Sequence, residues 1–293
     1  MIFIAYKNIP FMLQSYPRVK QSLLTFSKVI LGVITYIAAI AVAKYLAAPT
    51  IESVTEADSA LHHALKNLIE LTAVIVAYIF YFRVVEKRFS TELNFKGKYS
   101  VYALIAGFSI ISVTSIILFA TGLYDVDAYQ RWTELHLVFI ALTCQAISGE
   151  ILFRGIFFRL TEQQLGTAYT LIFIPIAYGL VNIAVDGLNL VVLVSTILIS
   201  ALWSCIYILS RNLWVTGLFV AGWLYAVFLT GILDEHWRTS APVISHSSGP
   251  ELLTGASFGP EASIITIVVV SMSLIFLMKL IKEKDQLVNM PRS

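Results

Sequence analysis

Eight apolar runs punctuate this chain, at residues 23–47, 65–82, 99–123, 135–158, 167–185, 188–209, 213–233 and 262–280. Each has the ~18–25 residues that an α-helix needs to cross a bilayer. Inside lipid, backbone N–H and C=O groups must be satisfied within the segment, which makes each run a helix. The composition agrees: 58% of residues are hydrophobic and 13% are charged, against roughly 45–50% and 25% in soluble domains. The expected fold class is all-α, a polytopic membrane helix bundle of about eight transmembrane helices.

Charge orients the bundle. With the N-terminus cytoplasmic, 16 of the 20 basic residues fall at inner connectors and ends, and only Lys44, Lys66, Arg131 and Arg238 fall outside. That asymmetry obeys the positive-inside rule and predicts both termini in the cytoplasm, in a multi-pass protein of the cell membrane. The N-terminal tail, with its aromatic residues, Pro10 and Pro17, reads as an interfacial segment. The first long run begins near Leu23 and is too long for a signal-peptide core, so no cleavable signal is expected. No internal repeat is visible, which argues against an inverted-repeat transporter. No basic cluster points to nucleic acid. Cys144 and Cys205 lie in apolar runs and read as small buried hydrophobes. The lipid bilayer is the expected partner, together with a membrane-associated peptide or protein.

One span carries chemistry. Ser148-Gly149-Glu150-Ile151-Leu152-Phe153-Arg154-Gly155 lies within the fourth run. Glu150 and Arg154 are four residues apart, one helical turn, on one face where they can pair. Ionisable groups in a membrane segment are costly and mark functional sites by default. A purely structural pair pinning the helix to its neighbours is the competing reading, and spacing alone leaves both open.

Glu150-Ile-Leu-Phe153-Arg154-Gly155, followed by Leu165-Gly166, resembles the first signature of the CPBP family of intramembrane metalloproteases, the CAAX-protease and bacteriocin-processing (Abi) proteins. The family pattern there is Glu-Glu-x-x-Phe-Arg-Gly. The stretch Leu253 to Ser263 resembles a loop leading to the last helix in bacterial members. The similarity covers Gln145 to Leu280. It divides the chain into 1–134, an N-terminal tail and three helices; 135–280, a CAAX-protease-like core; and 281–293, a cytoplasmic tail. The resemblance implies an endopeptidase acting on prenylated or other membrane-associated peptides, with a carboxylate base, two histidines and an asparagine. It matches Glu150, Arg154 and Asn182 to family site positions. The first Glu of the pair falls on Gly149, the next-helix His on Asn182 in Tyr178-Gly-Leu-Val-Asn182, and the later His and Asn on Val220 and Leu224. Val and Leu cannot ligate a metal, and Gly149 cannot serve as a base. A catalytic zinc needs about three protein ligands, so no metal or other cofactor is expected, zinc entering only if the family activity is retained. Two functions follow: a catalytically degenerate CAAX-type endopeptidase homologue, or a non-enzymatic membrane scaffold that binds a peptide or partner protein.

The remaining polar residues have plainer readings. Glu70 belongs near the outer interface, a turn from Lys66. Glu134 and His136 begin the fourth span at the interface. Asp186-Gly187 is a tight turn. His62, His63, His236 and His246 fall in outer loops or helix ends, leaving no imidazole in the core. Asn182 reads as a helix–helix hydrogen-bond partner, and Gly149 and Gly155 as sites of close helix packing. A polar cavity is expected between the fourth, fifth and seventh spans.

Overall fold

The computed structural model describes residues 17–56, 59–130, 132–186, 189–232, 237 and 240–289. The tail before Pro17, Arg131, Gly187, His236 and Arg238 lie outside that set. The protein is a polytopic helical bundle. α1 spans Pro17–Val54, α2 Ala60–Tyr81 with a π-helical extension Phe82–Glu86, and α3 Gly97–Ala120. α4 spans Leu135–Glu150 and continues as a π-helix over Ile151–Phe158; α5 spans Arg159–Asp186, α6 Leu190–Ser210, α7 Leu213–Leu229, α8 Glu251–Thr254 and α9 Ile264–Glu283. α1 runs through Pro49 to Val54, past the end of its apolar run at residue 47. α7 ends four residues before its apolar run does.

Among the described residues, six helical stretches are long and apolar enough to cross a membrane, and α7 is a shorter apolar helix. One stretch, Leu135–Asn182, has 48 residues, which as a single helix would reach ~72 Å, more than twice the ~30 Å hydrocarbon core. Gly166 breaks it. Its φ of 78° and ψ of 167° are non-helical, and a residue without a Cβ adopts them freely. Elsewhere the punctuation comes from capping. Asn189, Asn212 and Ser263 begin α6, α7 and α9 by accepting hydrogen bonds from first-turn N–H groups. Arg211, in the left-handed region at φ 48°, ends α6.

The two ends of the bundle differ in chemistry. At one end Glu86 pairs with Arg159 and with Arg88, 3.0 Å away. Glu92, in a short 3-10 turn over Thr91–Leu93, accepts from Arg88 at 2.8 Å and from Tyr78 Oη at 3.0 Å. Arg211 pairs with Glu162 and donates to the Gln286 carbonyl at 3.1 Å. Thr167 and Val288 exchange two hydrogen bonds, of 2.9 and 2.8 Å. At the other end, two segments outside the apolar runs form an antiparallel ribbon: β1 Tyr124–Tyr129 pairs with β2 Val243–Ser247, from Tyr124↔Ser247 to Tyr129↔Val243. β1 carries Val126 and two tyrosines, β2 carries Val243 and Ile244, and pairing satisfies backbone groups that a loop would leave to water. Buried Tyr124 donates to the Thr254 carbonyl at 2.7 Å, fixing the ribbon to α8.

Candidate functional site

The site is built from α4 inward. Glu150 and Arg154 sit one turn apart and pair, with Arg154 Nη1 donating to Glu150 Oε1 at 2.9 Å. Both are buried, Arg154 completely. α6 supplies the next layer: Arg154 Nη2 donates to the Ser200 carbonyl at 2.8 Å and to Ser200 Oγ at 3.1 Å. The guanidinium carbon lies 5.6 Å from the Trp203 ring centre and 6.0 Å from that of Tyr178, within reach of a cation–π attraction. Glu150 Oε2 and Arg154 Nε have no hydrogen-bond partner among the described residues. The helix turns π-helical at the residue after Glu150, a distortion frequent at functional sites.

The two glycines of the motif behave differently. A Cβ at Gly155 would lie 2.7 Å from Tyr78 Oη, so Gly155 is a close-packing position. A Cβ at Gly149 would meet nothing within 4 Å; the close packing expected there is corrected to open space. Ser148 Oγ, beside it, is 3.1 Å from Tyr36 Oη of α1.

A cavity of about 180 Å³ lies between α5, α6, α7 and the 3-10 stretch Ala256–Ala262 that precedes α9. The expected cavity between the fourth, fifth and seventh spans is thus displaced: α5, α6 and α7 contribute lining residues and α4 does not. Tyr178, Asn182, Trp203 and Leu224 line it. Asn182 is corrected from a partner between helices to one within its own, its Nδ2 donating to the Tyr178 carbonyl at 2.9 Å. Val220 is buried in the apolar cluster beside the cavity, with Trp203 and Trp223.

Glu261 also lines the cavity, and its Oε1 accepts from Trp223 Nε1 at 2.6 Å. Burial raises its carboxyl above the ordinary glutamate range, against the lowering effect of the Trp223 hydrogen bond. Glu261 belongs to the Leu253–Ser263 stretch, where nothing in the sequence alone sets it apart as a site residue beyond its place as an acidic residue wedged between Pro260 and the last apolar run.

His63 stands at a helix end as expected, but the expectation of no imidazole in the core is corrected. His63 is buried at the start of α2, 4% exposed, its ring 4.9 Å from that of Trp237. Glu70 lines a surface pocket of about 280 Å³ with Lys44, Glu52, His62 and Lys66. Cys144 and Cys205 are buried and form no disulfide. Among the described residues no three of His, Cys, Asp and Glu gather closely enough to hold a metal. The matched positions offer an amide at Asn182 and hydrocarbon at Val220 and Leu224, which does not fit the three donors a catalytic zinc requires.

Residues 131–226 match a protein-family model described as Rce1-like, type II CAAX prenyl endopeptidase. The matched segment runs from just before α4 into α7, and so includes Glu150, Arg154, Asn182, Val220 and Leu224. No curated protein and no solved structure matches the chain.

Proposed function

We propose that the chain, matched over residues 131–226 by the Rce1-like CAAX prenyl endopeptidase model, is a catalytically degenerate member of that family, using its membrane-embedded cavity to bind a membrane-associated peptide or partner protein without cutting it. One observation carries the reading: the matched positions converge, but without the chemistry of hydrolysis. Asn182 and Leu224 line one cavity, Val220 lies in the apolar core beside it, and the remaining carboxylate of the motif is held by Arg154. Peptide hydrolysis needs a base placed to take a proton from water, and donors aimed at the developing oxyanion. Val220 and Leu224 supply neither, and the space at Gly149 holds no side chain. No step here runs through zinc. The protein works as a multi-pass protein of the cell membrane with eight crossings and the end bearing Glu86, Arg88, Arg159 and Arg211 in the cytoplasm; the distribution of basic residues supports that orientation.

The purified protein should leave a prenylated peptide intact in liposomes, with or without zinc, while forming a photo-crosslink to it. A variant carrying Gly149→Glu, Asn182→His, Val220→His and Leu224→Asn should gain cleavage. Space for the new carboxylate exists, since a Cβ at Gly149 meets nothing within 4 Å. Cleavage by the native chain, abolished by Glu150→Ala, would establish an enzyme and sink the proposal. Absence of both cleavage and crosslinking would sink it equally.

A further inference from the structure

The cavity wall carries a charge that the family motif does not account for. Glu261 is brought to it by a tight fold in the preceding chain. Gly255 and Gly259 both have positive φ, 78° and 72°, and a Cβ at Gly255 would lie 2.0 Å from the Gly259 carbonyl oxygen. Only glycine permits that approach. The fold presents Glu261 to the cavity while Trp223 holds one of its oxygens from behind at 2.6 Å.

The rest of the wall sets the ligand's sign and kind. The nearby pair of Glu150 and Arg154 is internally neutralised at 2.9 Å, leaving Glu261 as the one acid among the residues that line the cavity, with no basic side chain among them. An anionic ligand would be repelled, and a neutral hydrocarbon would strand a carboxylate away from water, which is costly. Tyr178, Trp203 and Phe258 supply aromatic surface, the Tyr178 and Trp203 rings meeting at 70° with centres 5.9 Å apart. Aromatic faces beside a carboxylate suit an organic cation, whereas a metal ion calls for several oxygen ligands. The amide of Asn182, with Nδ2 engaged on the Tyr178 carbonyl, leaves Oδ1 as an acceptor.

Size and depth narrow the choice. About 180 Å³ is well below the ~300–1,000 Å³ of sites for drug-sized ligands, so the cavity takes one head group. Trp223 lies six residues inside the end of α7 at Leu229, ~9 Å along the helix axis. A lysine side chain reaches such a depth with an apolar stem and a charged tip.

We infer that the cavity receives a lysine ammonium of the bound peptide, with Glu261 as its counter-ion and Tyr178, Trp203 and Phe258 as its aromatic walls. This rests on the reading of the cavity as a peptide-binding site, and it adds a sequence preference to that reading.

The intact protein in maltoside micelles tests it by tryptophan fluorescence and thermal shift. The probes are n-butylammonium chloride against equal sodium chloride, and a lysine-containing peptide against its norleucine copy. Native protein should respond saturably to butylammonium and to the lysine peptide. Glu261→Gln should weaken both responses by about tenfold or more, the scale of ~1.4 kcal/mol. Leu224→Phe narrows the cavity without touching Glu261 and should weaken them as well, which keeps the test alive if Glu261→Gln does not fold. Equal responses in native and Glu261→Gln protein, no response to butylammonium beyond the sodium control, or displacement by phosphatidylethanolamine vesicles but not by the lysine peptide would each overturn the inference. Peptide crosslinking without an ammonium response would leave the binding function standing and remove only this preference.

Discussion

At the scale of single residues, the pair of Glu150 and Arg154 decides the most. Arg154 is fully buried, and its guanidinium is divided between Glu150 on its own helix and Ser200 on α6. Removing one member of a buried pair leaves the other uncompensated at a cost of about 3–5 kcal/mol. Glu150→Ala should therefore lower abundance and melting temperature in detergent, and pairing Glu150→Leu with Arg154→Met should restore much of the loss. Native-like melting of Glu150→Ala would show that the pair is not structural. Glu92 offers a second test. Burial alone would raise its carboxyl, but the Arg88 hydrogen bond and the charges of Arg88 and Arg159 hold it below the ordinary glutamate value. A carboxyl lowered on folding contributes stability above its unfolded pKa, and that contribution is lost as pH falls through the folded value. Acid melting curves of native protein should show this loss, and Glu92→Gln should flatten it. The pair in α4 was legible in the sequence because an i,i+4 spacing places both groups on one face. The tie between Glu261 and Trp223 was not, because it spans 38 residues and depends on two positive-φ glycines whose conformations a sequence does not display.

Between elements, the crossing of α3 and α7 shows how the bundle closes without a hydrophobic drive between helices. A Cβ at Gly107 of α3 would lie 1.9 Å from the Phe219 carbonyl oxygen of α7, and a Cβ at Gly222 of α7 would lie 2.1 Å from the Leu104 carbonyl oxygen of α3. The two backbones touch through reciprocal glycines, the small-residue contact that membrane helices use in place of apolar burial. Gly107→Ala or Gly222→Ala should push the helices apart and cause a large loss of folded protein, visible as aggregation on size-exclusion chromatography. A monodisperse native-like profile for both would contradict the crossing. Helix positions were legible from apolar length alone, since the bilayer fixes that length. The partners were not: hydrophobicity all around a membrane helix hides which face meets protein, which is why the cavity wall moved from α4 to α6. The ribbon of β1 and β2 was hidden for a related reason, its two strands being short and separated by more than a hundred residues.

Across the whole molecule, the two ends carry different work. One is laced by ion pairs among Glu86, Arg88, Glu92, Arg159, Glu162 and Arg211. The other is closed by backbone pairing in the ribbon and by the Tyr124 bond to Thr254. Basic side chains resist translocation, so the ion-paired end should be the cytoplasmic one. That orientation is measurable with single cysteines, because the two native thiols are buried and the Cys144 thiol lies within a span. Glu251 and Lys98 are both exposed and belong to opposite ends. In intact cells a membrane-impermeant maleimide should label Glu251→Cys, and should label Lys98→Cys only after permeabilisation. The reverse pattern would turn the molecule over. Equal labelling of both in intact cells would mean that residues 98 and 251 share a side, and that the chain crosses the membrane an even number of times between them instead of the five times that α3 to α7 predict.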